Sequence, residues 1–292
     1  MKTLVTGAGG QLGLDMLDAF ADHDVAGLTH AQLDVADEAA VVAAVRDHEP
    51  DLVVHCAAWT DVDGCEQNPD RAHVVNALGP WWVARACDLT GAAMVHLSTD
   101  YVFDGRGRTG SDGQPRPYGE FDPTDPINEY GRSKAASEQL VRATLREHYI
   151  VRTSWVCGAR GKNFVTTMLR VGREQRSARV VDDQVGSPTF TRDLAAAIRE
   201  LAVTGRYGTY HRTNQGTCSW YELAAATFEL AAIDVELTAI SSDELDRAAP
   251  RPAYSVLGER HSRLSGLRAL PHWRDGLGRF LDELATAAAP AP

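Results

Sequence analysis

Cysteine is scarce and poorly spaced for chemistry. The 292 residues contain five, Cys56, Cys65, Cys87, Cys157 and Cys218. The number is odd and no two stand at C-x-x-C spacing, which excludes a disulfide framework and reads as reduced thiols. Clustered zinc ligands are also missing, so no metal is expected. No run approaches the ~18 apolar residues of a membrane span. Met1-Lys2-Thr3 leads straight into a short strand rather than the longer apolar stretch of a signal peptide. A cytoplasmic protein with no membrane partner is the expectation. Basic residues are outnumbered, 29 Lys and Arg against 40 Asp and Glu, a net charge of −11. A field of that sign opposes nucleic-acid binding. Any phosphate-bearing ligand must be held by local devices: helix N-termini, backbone N–H groups and a few placed cations.

Hydrophobic residues make up 44%, enough for one large α/β domain or a large and a small one. The first half alternates strand and helix patterns. Strands read at Lys2–Thr6, Val25–Leu28, Asp51–His55, Ala93–Leu97 and Tyr149–Arg152. Helices read at Gln11–Phe20, Asp37–His48, within Glu66–Leu89, and at Glu129–Glu147. This predicts a doubly wound parallel-sheet Rossmann domain with helices on both faces. The second half is less regular, with helical patterns at Asn163–Arg173, Asp193–Val203, Trp220–Ala232 and Asp275–Leu284 and a short strand at Arg179–Val181. It predicts a smaller mixed α/β substrate domain. The expected division is 1–153 for the dinucleotide domain, with a returning segment near 178–203. Residues 154–177 and 204–284 fall to the substrate domain, and 285–292 to a frayed Ala/Pro tail.

Thr6-Gly7-Ala8-Gly9-Gly10-Gln11-Leu12-Gly13 joins the first strand to the first helix. It departs from G-x-G-x-x-G, yet the physics is shared: glycines permit a tight turn and close approach of a pyrophosphate to a helix N-terminus. The second strand ends Leu28-Thr29-His30, with no carboxylate to repel a 2′-phosphate. NADPH is therefore the expected cofactor, with NADH as the alternative and His30 as a candidate contact. Tyr130-Gly131-Arg132-Ser133-Lys134 is Y-x-x-x-K, with both side chains on one helix face. A tyrosine beside an ammonium is expected to release its proton more readily and to act as general acid toward a carbonyl. Ser98-Thr99-Asp100-Tyr101 closes a strand upstream, where hydroxyls can bind the carbonyl oxygen.

These stretches together resemble the extended short-chain dehydrogenase/reductases. Further segments narrow the likeness: Leu33-Asp34-Val35, His55-Cys56-Ala57-Ala58-Trp59, Ser98 to Gly105, Arg152-Thr153-Ser154-Trp155-Val156, Val181 to Thr189 and Arg251 to Ser255. In this order they resemble the dTDP-4-dehydrorhamnose reductase family over about residues 1 to 285. The resemblance implies reduction of the 4-keto group of a dTDP-4-keto-6-deoxyhexose, yielding dTDP-L-rhamnose in rhamnose synthesis. It implies a cofactor site of Gly7, Gly10, Gln11, Leu12, Asp34, Val35, Ala57, Ala58 and Trp59, with Tyr130 and Lys134. Tyr130, Lys134 and Thr99 become the catalytic group. Thr99, Asp100, Tyr101 and Trp155 become substrate contacts, and Asn163, Gln184 and Arg251 candidates for the nucleotide end. Asp61, Asp63 and Glu66 read as a solvated acidic loop. Some family members join subunits through carboxylates sharing Mg²⁺. Asp15 and Glu283 stand at two such positions, but Arg192 occupies the third and opposes a cation, so monomer and homodimer both stay open.

Three other readings fit parts of the pattern. A reductase of another dTDP-4-keto sugar would carry nearly the same site. A non-catalytic regulatory subunit is opposed by retention of Thr99, Tyr130 and Lys134. An epimerase or dehydratase holding NAD⁺ is opposed by Gln11-Leu12 after Gly10.

Overall fold

The structure, a computed structural model, describes residues 1–110 and 112–288. The first half runs β1 (Lys2–Thr6), α1 (Gln11–Ala19), β2 (Asp24–Leu28), α2 (Glu38–His48), β3 (Leu52–His55), α3 (Gly79–Thr90), β4 (Ala93–Thr99), α4 (Glu129–Thr144) and β5 (His148–Thr153). The second half adds α5 (Phe164–Gln175), β6 (Ser177–Val181), α6 (Thr191–Ala202), β7 (Gly208–His211), α7 (Trp220–Leu230), β8 (Glu236–Ile240) and α8 (Trp273–Ala288). Caps set several boundaries. Asp37 accepts from the Ala40 N–H ahead of α2, and Asn128 accepts from the Gly131 N–H ahead of α4. Ser219 and Glu222 form a reciprocal capping box on α7.

Six strands pair in the order β7-β5-β4-β3-β1-β2, all parallel. Alternation along each strand builds two cores. Val5, Val54, Val95 and Val151 face α1 and α6, where Met16, Phe20, Leu194 and Ile198 complete the packing. Leu4, Val53 and Met94 face the other side, against Val41, Val45, Val83 and Val141. The chain winds one way after β1 and the other way after β3. A crevice therefore opens at the carboxyl ends of these two strands.

The expected Rossmann architecture is present, but the boundaries differ. Strand β7 lies within 204–284, assigned above to the substrate domain, yet it pairs with β5 along Gly208↔Tyr149 to His211↔Arg152. The open edge of β5 needs a ladder partner, and Tyr210 is buried on it. Conversely, β6 lies within the expected returning segment but pairs with β8 in a small parallel sheet. Only α6 of that segment rejoins the main body. The second lobe closes over its own core of Leu169, Leu223, Trp273, Leu277 and Phe280. Of the expected tail, 285–288 finish α8, and 289–292 lie outside the described residues.

Candidate active site

The groove starts where β1 and β3 end. Gly7 has φ +69°, and a Cβ placed on it would sit 2.6 Å from the Ala57 nitrogen. No side chain can occupy that position, so two backbones pass at near contact. The Gly10 N–H bonds the Gly7 carbonyl at 3.0 Å and closes the turn. No side chain caps α1 at Gly10, leaving its first N–H groups for an anion. A cavity of about 990 Å³ follows, the size of a large nucleotide site. Its walls include Gly7, Gly10, Asp34, Val35, Ala57, Ala58 and Trp59 from the expected set. Thr29 and His30 lie where a second-strand carboxylate would repel a 2′-phosphate.

Two expected cofactor residues, Gln11 and Leu12, bring only their backbone to the turn. The Gln11 side chain turns away from the cavity. Its Oε1 accepts from the Gly158 N–H at 2.8 Å and its Nε2 donates to the Val156 carbonyl at 3.4 Å. A carboxamide with both ends bonded to the loop beyond β5 serves to join the lobes; only its backbone faces the turn. Leu12 packs against the first core, because the helical period points it inward. The sequence missed Arg71, which lines the same cavity with its guanidinium 4.5 Å over the Trp59 ring.

Tyr130 and Lys134 are buried on α4, at 9% and 2% exposure. Burial pushes the Tyr130 hydroxyl well above the usual phenol range; Asp100 pushes the same way, and the Thr99 hydroxyl opposes them. The expectation that Lys134 would ease ionisation is therefore corrected. Desolvation outweighs the easing expected from Lys134 and keeps Tyr130 neutral. Burial also brings Lys134 down to about 8, against the pull of Glu138 and Cys56. Thr99 ends β4, where its hydroxyl donates to Asp100 Oδ1 at 2.9 Å and accepts from the Tyr101 N–H at 3.2 Å. Asp100 is buried, and desolvation raises its carboxyl to about 6. The Tyr101 ring meets Tyr130 edge-on at 5.7 Å. Ser98, by contrast, points beneath the site and donates to Glu138 at 2.6 Å.

Trp155 stands at the exit from the sheet with φ +48°. Its indole stacks on Trp220 at 3.5 Å and covers Gly186. Asn163 and Gln184 are engaged internally: Asn163 caps α5 and donates to the Gly158 carbonyl, and Gln184 donates to Ser242. The acidic loop is not merely solvated. Asp63 takes both ends of the Arg251 guanidinium, at 2.7 and 3.1 Å, and the Ala249 N–H. Glu66 accepts from the Glu129 N–H at the head of α4, and Asp61 caps its own short helix. These acids pin α4 and the 249–251 loop at the mouth of the site.

The model of the RmlD substrate binding domain family matches residues 1–286. The chain belongs to this family. A dTDP-4-dehydrorhamnose reductase of Mycobacterium tuberculosis is 44% identical, the alignment covering 99% of this chain and 93% of the relative. A dTDP-4-keto-6-deoxy-D-glucose reductase of Streptomyces niveus is 41% identical over 94% of this chain and 95% of its own. Among solved structures, dTDP-4-dehydrorhamnose reductase from Bacillus anthracis in complex with NADP superposes with a TM-score of 0.92 at 42% identity. That match covers 97% of this chain and all of the other. RmlD family membership thus extends over both lobes, the groove and the Tyr130 helix included. Among the described residues no group of three or more His, Cys, Asp or Glu is arranged to hold a metal ion. Asp15 is paired with Arg160 and Glu283 with Arg192, each within this chain. Nor does any helix of the described residues have the length and apolarity to cross a membrane.

Proposed function

We propose that this chain reduces the 4-keto group of a dTDP-linked 4-keto-6-deoxyhexose, converting dTDP-4-dehydrorhamnose to dTDP-L-rhamnose. NADPH supplies the hydride when bound. The observation that carries the reading is that Trp59, in the wall of the Gly7 groove, packs against the cluster of the buried Tyr130, with Thr99 beside it. Gly7 and the uncapped start of α1 receive the pyrophosphate by backbone alone. Ala57, Ala58 and Trp59 form the wall leading from that turn toward Tyr130. Tyr130 holds the proton that the alkoxide at C4 requires, and its buried setting keeps that proton in place until negative charge develops. Thr99 offers its hydroxyl to the same oxygen once released from Asp100. Tyr101 and Trp155 wall the sugar side, and contacts remote from C4 orient the ketone.

The test is incubation with dTDP-4-keto-6-deoxyhexulose, epimerised and not, and NADPH, with NMR of the product. Stoichiometric NADPH oxidation with an L-rhamnosyl product supports the proposal. Conversion without net NADPH consumption would assign an epimerase instead. The Streptomyces niveus relative favours one second reading, reduction of a different dTDP-4-keto sugar. Consumption of NADPH with only the unepimerised substrate would select it.

A further inference from the structure

Beneath α4 the sheet surface changes character. Leu4, Val53 and Met94 belong to the second core on this face. Two residues further along the same strands, and so on the same face, stand Thr6, His55 and His96. They are in direct register across β1, β3 and β4, and all three are buried. A polar band thus replaces apolar core under the helix that carries Tyr130 and Lys134. Nothing in the reduction described above uses it.

Hydrogen bonds fix the tautomer of one member. Ser137 Oγ donates to the Lys134 carbonyl at 2.6 Å. A serine hydroxyl has one proton to give, so at His96 Nε2, 2.8 Å away, Ser137 is the acceptor. His96 therefore carries its proton on Nε2. Burial holds the ring neutral, far below the ordinary histidine range, which leaves Nδ1 as a bare lone pair. That nitrogen is buried and bonds no described residue. His55 stacks on His96 with centroids 5.8 Å apart and is anchored through Nδ1 by Thr6 at 2.8 Å. Buried acceptors are rarely left without a donor. The Lys134 ammonium acts electrostatically on both imidazoles and on Cys56. Glu138 and Arg142 from α4 and His148 from β5 complete the charged and titratable surroundings of the pair.

We propose that His96, backed by His55, is a positioning residue for Lys134, its Nδ1 accepting from the lysine ammonium across one water. The imidazole keeps the lysine charged and in place one turn from Tyr130. The effect on turnover rests on the reductase reading; the contact itself does not. Lys134 is one of three lysines, with Lys2 and Lys162, so ¹³C-lysine NMR can follow it individually. In His96→Leu the Lys134 midpoint should fall by about one pH unit or more, the effect of losing a hydrogen bond to a charged group. His96→Asn, which keeps an acceptor at the δ position, should restore most of it. An unchanged midpoint in folded His96→Leu overturns the proposal. If that variant does not fold, ¹⁵N-histidine spectra of the wild type decide: an Nδ1-protonated or charged His96 at neutral pH overturns it, and an Nε2–H tautomer with a hydrogen-bonded Nδ1 supports it. Under the reductase reading, kcat in His96→Leu also drops with KM for the sugar nearly unchanged. A shifted lysine midpoint without any reductase activity in the wild type would sink the function but leave the contact standing.

Discussion

A phenol that must deliver a proton serves best when it is neutral at the moment of need. An ordinary phenol is already neutral at working pH, and burial holds Tyr130 still further from ionisation. Tyr130→Phe should therefore lower kcat by about 10²–10⁴-fold and leave KM within a few-fold. Steady-state kinetics at saturating NADPH measure this, and near wild-type turnover would remove Tyr130 from the role. Lys134 carries a pH dependence of defined sign. Its ammonium is retained below about 8 and lost as pH rises through that value. kcat/KM for NADPH, which reports the free enzyme, should thus decline on the alkaline side with a single ionisation near pH 8. A profile flat to pH 10 would contradict it. The Tyr/Lys spacing and the glycine turn were legible because both are local in sequence. The engagement of the Gln11 side chain was not legible, because it answers to a loop 147 residues away. The polar band was not read from the sequence, although His96 and Ser98 break an otherwise apolar strand at period two. Only the pairing register shows that His55 joins them.

At the scale of elements, α4 is held down by charge. Glu138 takes a two-pronged contact from Arg152, at 2.7 and 2.6 Å, and a third from Arg142 at 2.7 Å. Glu138 and Arg152 are both buried. Arg152 reaches on to the Glu120 carbonyl and lies over the Phe103 ring at 5.0 Å. Removing one partner leaves an uncompensated buried charge, which typically costs about 3–5 kcal/mol. Glu138→Gln should lose stability on that scale in denaturant melts, and a change under 1 kcal/mol would show the network to be dispensable. The main helices were readable from their periodicity. Strand β8 was not, since its Glu-Leu-Thr-Ala-Ile pattern is short and mostly exposed. Its partner β6 is what makes it a strand. The acidic segment around Asp63 likewise looked solvated until the chain brought Arg251 back from 188 residues further on.

For the whole molecule, the carboxylates that some relatives are expected to spend on a shared cation are neutralised internally. Asp15 meets Arg160 at 2.5 Å and Glu283 meets Arg192 at 2.9 Å. Chelation with EDTA should therefore leave turnover and solution mass unchanged, as assayed by kinetics and light scattering. A drop in either would restore a metal-linked assembly. Alternation of strands and helices was enough to read a doubly wound sheet, because each unit is contiguous. Strand order and the last sheet member were not readable, because pairing partners of β5 could come from anywhere downstream.

Strand β7 has a practical bearing on recombining this protein with its relatives. A crossover placed at Thr153, where the alternating pattern stops, would give the donor half an unpaired β5 edge and import an edge strand shaped for another sheet. One seam lies past His211, and two more bracket the segment between β5 and α6. Exchanging sugar specificity by grafting therefore has to keep α6 and β7 with the nucleotide-binding side, which makes the substrate lobe two pieces to be swapped at three joints rather than a tail to be swapped at one.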